Sequence, residues 1–105
     1  MVRHVTGTEL NELIETSEKT VFCDFWAAWC GPCRMLAPVF EEVSESYEGK
    51  AVFVKVDVDE NGEAAMKYGI SSIPNVLAFK GGKVVGNSLG FVPASALSSF
   101  VEKYL

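Results

Sequence analysis

Apolar and polar positions along this 105-residue chain alternate between a helical and an extended rhythm. Leu10, Leu13 and Ile14 recur at helical spacing behind Thr6-Gly7-Thr8-Glu9, which has the form of a capping box with Thr6 as N-cap. The spacing predicts a first helix running to about Ser17. Thr20 to Ala28 is an apolar run broken by Asp24, and it reads as a buried strand. Leu36, Val39, Phe40, Val43 and Tyr47 then repeat along one face, predicting a second helix over Pro32–Tyr47. Pro38 falls inside that helix and should kink it, and Gly49 should end it.

Ala51 to Val58 is rich in β-branched residues and reads as a central strand. Asp59-Glu60-Asn61-Gly62 is a turn, followed by a short helix through Tyr68 that Gly69 stops. Asn75–Lys80 and Lys83–Leu89 read as strands joined by a two-residue turn, Gly81-Gly82. Pro93 suits a helix start, and Leu97, Phe100, Val101 and Tyr104 form the buried stripe of a last helix. The order is a βαβ first half, a short helix, a hairpin and a final helix. That is an α/β arrangement whose parallel strands need helices on both faces of the sheet. A chain of this length is expected to be one domain spanning residues 1–105.

Composition narrows the function more than the fold. The net charge of −5 is spread along the chain, which argues against nucleic acid or an anionic membrane as a partner. Three cysteines is an odd number, so a secreted disulfide framework is not expected. Met1 to Gly7 lacks the apolar core of a signal peptide, and no segment has the apolar length of a membrane span. The expected setting is the cytoplasm or an organelle matrix.

The chemistry concentrates in Trp29-Cys30-Gly31-Pro32-Cys33. Pro32 donates no backbone N–H and so belongs in the first turn of a helix. A strand leading straight into that helix places a thiol at the helix N-terminus. There the macrodipole and free N–H groups favour a thiolate, as a dithiol–disulfide oxidoreductase requires. Cys30 is then the nucleophile and Cys33, one turn in, the resolving thiol. The rival reading is half of a zinc or iron–sulfur site. It needs about four ligands, and only Cys23, in a strand, and the distant His4 remain to supply them. Cys23 reads as an inert buried thiol and His4 as a surface residue near the terminus. Trp26, Phe25, Tyr68 and Phe79 read as core.

With these residues in view, the chain resembles the thioredoxin family over essentially its whole length. The resemblance rests on Asp24-Phe25-Trp26-Ala27-Ala28-Trp29-Cys30-Gly31-Pro32-Cys33, Pro38, Val56-Asp57, Tyr68-Gly69-Ile70, Ile73-Pro74, Phe79-Lys80-Gly81-Gly82 and Gly90. It implies the thioredoxin fold, a central mixed five-stranded sheet flanked by four helices. It implies a protein-disulfide reductase whose redox group is the Cys30–Cys33 pair itself, with no further cofactor and no metal. Asp24 would be the proton acceptor for Cys33. An ion pair between Asp24 and Lys55 on the neighbouring strand is the plainer reading of the same residue, and the two are compatible. Gly31 and Pro32 would support the site. A cis Ile73–Pro74 bond would face the disulfide, with Trp29, Ile73, Pro74 and Gly90 forming the substrate groove.

The resemblance also implies disulfide-containing protein substrates and re-reduction by a thioredoxin reductase, either flavin- and NADPH-dependent or ferredoxin-linked. The chain itself carries no dinucleotide fingerprint. The expected state is a monomer. Ala28, Cys23, Asn75 and Phe91 depart from the family's usual residues, and the last two bear on partner preference. A disulfide oxidase or isomerase is the alternative within the same chemistry, and Gly31-Pro32 is the reducing-type pair. A redox-independent structural subunit of a larger complex is the alternative outside it.

Overall fold

The computed structural model describes residues 1–105. Nine elements follow one another: β1 (Arg3–His4), α1 (Gly7–Thr16), β2 (Val21–Trp26), α2 (Gly31–Ser46), β3 (Val52–Asp57), α3 (Gly62–Lys67), β4 (Asn75–Lys80), β5 (Lys83–Leu89) and α4 (Ala94–Lys103). The five strands form one sheet in the order β1-β3-β2-β4-β5. β1, β3 and β2 run parallel, while β4 is antiparallel to β2 and β5 antiparallel to β4. This is the five-stranded mixed sheet with four helices that the resemblance implied.

Side chains alternate across the sheet, so each strand contributes to two cores. Val21, Cys23 and Phe25 of β2 pack with Val54, Val56, Leu77 and Phe79 beneath Leu10 and Ile14 of α1. Phe22 of β2 faces the other way, with Phe53, Val76 and Ala78 against Leu36, Phe40 and Val43 of α2 and Leu97 and Val101 of α4. β2 is buried on both faces, which explains its nearly continuous apolar run.

Most differences from the sequence pattern lie at element ends. β2 stops at Trp26, two residues before Ala28, because the chain turns there: the Cys30 N–H donates to the Ala27 carbonyl (3.2 Å). α2 starts at Gly31 with Cys30 as its N-cap. It ends at Ser46, and Gly49 (φ 84°) lies in the turn beyond it. α2 runs on through Pro38, which faces solvent, so the carbonyl of Arg34 loses its helical partner on the wet side. Gly81 and Gly82 both have positive φ (63° and 81°), the mirror-image turn that matches strand twist. β1 is the strand the apolar pattern did not mark. It is two exposed residues long, held because Arg3 and His4 pair with Val54 and Lys55.

The α1 capping box is complete. The Glu9 N–H donates to Thr6 Oγ1 (3.1 Å), and the Thr6 N–H donates to Glu9 Oε1 (2.8 Å). Gly7 in the same turn donates to Asn61 Oδ1 (3.0 Å), which ties α1 to the turn before α3. Replacing Thr6 with Ala removes the cap and should cost about 1 kcal/mol, read as a lower urea midpoint at unchanged slope.

Candidate redox-active site

Cys30 and Cys33 are joined by a disulfide, with their Cα atoms 5.2 Å apart. That separation is ordinary for a disulfide and follows from the single helical turn between them. Cys30 is the N-cap of α2, and its Sγ accepts the Cys33 N–H (3.2 Å). Sulfur thus occupies the place where a capping oxygen usually sits, at the positive end of a helix of 16 residues. Pro32 stands in the first turn as expected, where no intrahelical donor is needed. Gly31 gives the turn no side chain.

The pair is set into the protein surface. Cys33 is 1% exposed and Cys30 5%. Ala27 packs with both cysteines, and Trp26, Val58 and Ile73 close around them. The Arg34 guanidinium donates to the Ala28 carbonyl (3.1 Å), clipping the turn between β2 and α2 to the helix it leads into. Trp29 stands out into solvent at 68% exposure, with Nε1 donating to Asp59 Oδ2 (2.8 Å).

The Ile73–Pro74 bond is cis. Cys30 Sγ lies 3.9 Å from the Ile73 carbonyl oxygen, and the Gly90 N–H donates to the Pro74 carbonyl (2.7 Å). Ile73, Pro74 and Gly90 are therefore one connected strip beside the sulfur. Phe91, next in the chain, is 41% exposed. Asn75 is buried instead of lining the surface, and its Oδ1 accepts from Asn87 Nδ2 (3.4 Å) across the hairpin.

Asp24 sits in the middle of β2 with no exposed surface, and neither carboxylate oxygen has a hydrogen-bond partner. Burial pushes its carboxyl up to about 6, and the positive charge of Lys55 partly offsets that rise. Lys55 is in register with Asp24 on β3, yet the expected ion pair is not made. The Lys55 ammonium instead lies over the Trp26 ring, 4.6 Å from its centroid. A cation on an indole face keeps more of its hydration than one buried beside Asp24 would. Cys23, the residue before Asp24, is wholly buried, and burial first, then Asp24, pushes its thiol well up.

A thioredoxin family profile matches residues 1–103 of this chain. The chain belongs to the thioredoxin family. It is 52% identical over 101 residues to the thioredoxin of Bacillus subtilis (strain 168), a match covering 96% of this chain and 97% of the relative. It is 50% identical over 101 residues to the thioredoxin of Synechocystis, covering 96% of this chain and 94% of the relative. The chloroplastic M-type thioredoxin of Pisum sativum is 47% identical over 104 residues, covering 99% of this chain and 60% of that protein. A thioredoxin-family chain with a closed Cys30–Cys33 pair is a thiol–disulfide oxidoreductase. No helix is long and apolar enough to cross a membrane.

Asp24 carries a stability consequence with a definite sign. Its folded carboxyl titrates near 6 and an unfolded one near 4, so the native state holds the extra proton between those values. Stability should fall as pH rises through that window, by about 2–3 kcal/mol once both states are ionised. Asp24→Asn should remove that loss. Urea unfolding at pH 7 should show the variant more stable by a similar amount, with the advantage gone at pH 4.

Proposed function

We propose that this protein reduces disulfides in other proteins. The observation that carries the reading is the Cys30–Cys33 disulfide at the N-terminus of α2, beside the Ile73–Pro74–Gly90 strip. In the reduced protein the Cys30 thiolate, supported by the helix end and the Cys33 N–H, attacks one sulfur of a substrate disulfide. That S–S bond breaks, one substrate sulfur leaves as a thiol, and a Cys30–substrate bond forms. Cys33 then gives its proton to the Asp24 carboxylate and attacks Cys30 Sγ. The second substrate thiol departs, the Cys30–Cys33 bond closes, and two electrons have passed to the substrate.

A carboxyl titrating near 6 is ionised at neutral pH yet basic enough to take that proton, which supports Asp24 as the acceptor. Trp29, Ile73, Pro74 and Gly90 form the docking strip. An extended substrate segment pairs with the Ile73 backbone in the manner of an added strand. The disulfide is the only redox group the cycle needs, so another protein, a thioredoxin reductase, must return two electrons to it.

Reduction of insulin with dithiothreitol as the electron source tests the reading. Wild type should precipitate the insulin B chain. Cys30→Ser should abolish this, whereas Cys33→Ser should accumulate a mixed disulfide visible as added mass. In the reduced wild type, iodoacetamide at pH 7 should label Cys30 at least about tenfold faster than Cys33 or Cys23. Equal labelling of all three thiols, or insulin reduction surviving in Cys30→Ser, would reject the assignment.

A further inference from the structure

Asp24, Lys55 and His4 stand in one row across the sheet. Lys55 is in register with Asp24 on one side and with His4 on the other. Residues opposite one another in parallel strands project to the same side, so Lys55 lies between an acid and an imidazole. Its ammonium chooses neither. It rests over the Trp26 ring, and the His4 ring meets the same indole edge-on, with centroids 5.8 Å apart. His4, Trp26 and Lys55 share a cleft of about 390 Å³ that opens to solvent. Asp24 is left with two oxygens that have no partner.

We propose that His4, Trp26 and Lys55 together set the charge felt by the Asp24 carboxyl, with His4 as the outer positioning residue. The indole face holds the Lys55 ammonium away from Asp24. A charged His4 at the edge of that indole repels the ammonium and drives it toward the carboxylate, so charging His4 favours ionised Asp24. An imidazole can carry a charge or none, so position 4 is one where the charge beside the indole can change. The row therefore links the charge of a solvent-facing ring to a carboxyl that solvent does not reach.

Other charges face His4 and fix the background. Lys55 and Asp57 approach from β3 and Glu60 from the turn before α3. Glu9, Glu12 and Glu15 approach from α1, and Arg3 precedes His4 in β1. The α1 and turn acids are exposed and screened by salt, and every variant in the test leaves them in place. Two strand spacings separate His4 from Asp24. Coulomb coupling over that distance, through a medium between protein and water, moves a titration by about 0.3–0.6 unit at low salt.

The proposal rests on Asp24 as proton acceptor only for its effect on rate; the titration stands on its own. The test is the carboxyl-carbon NMR titration of Asp24 in reduced wild type, His4→Gln and His4→Lys. His4 is exposed on an edge strand, so both replacements spare the core. His4→Gln should raise the Asp24 midpoint and His4→Lys should lower it, each by about 0.3 unit. In a Lys55→Met background the gap between the two should narrow but not vanish, since the mobile ammonium is gone and only the direct coupling between position 4 and Asp24 remains. Shifts in the same direction, or no shift beyond about 0.1 unit, would overturn the proposal, because a packing role moves both variants alike. The pH profile of mixed-disulfide resolution should move with the midpoint. If Asp24→Asn resolves as fast as wild type, the acceptor reading falls, while the carboxyl titrations still decide the row.

Discussion

The redox end of this protein depends on one constraint: the chain must pass from a doubly buried strand to the start of a helix within a few residues. β2 is locked on both faces by the two cores, so Trp26 has a fixed position. The turn that follows is pinned by the Ala27 carbonyl and by Arg34. Cys30 then has nowhere to lie except at the helix cap, where its sulfur takes the backbone N–H of Cys33. A sulfur in that position meets backbone dipoles that no rearrangement can withdraw. Their orientation is set by packing well away from the disulfide.

The same rigidity explains how a carboxyl can be kept dry without partners. Asp24 belongs to the central strand, and neither that strand nor its neighbours can shift to solvate it without opening a core. The fold therefore bears a standing electrostatic cost at neutral pH. An apolar residue of similar size would relieve it.

Features written in short local patterns were legible in the sequence. Thr6 with Glu9 is a complete helix start in four residues, and Gly81-Gly82 admits few turns. The Cys30-Gly31-Pro32-Cys33 segment carries its own helix position. What the sequence hid was settled by choices between partners. Asp24 and Lys55 do lie side by side, as an ion pair would need, but the ammonium prefers the indole of Trp26, two residues along the same strand as Asp24. His4 is the surface residue near the terminus that the sequence indicated, but its place in a strand was hidden because two residues have no periodicity to read. Asn75, expected to bear on partner preference, is buried, and its side chain accepts from Asn87 across the closed hairpin.

The strand order has a consequence for how the chain finds this shape. The hairpin of β4 and β5 closes over two glycines, so its pairing demands almost no loop-closure entropy. β2 has no such local partner. It is flanked by β3, reached only after all of α2, and by β4, reached only after α3 as well. The pairing of β2 with β4, like that of β1 with β3, joins stretches that lie far apart in the chain, while β2 and β3 are nearer neighbours. Folding speed is governed by how soon such distant contacts form. The redox centre rests on such long-range contacts, and a chain in which only the hairpin and isolated helices have formed lacks the sheet that holds it.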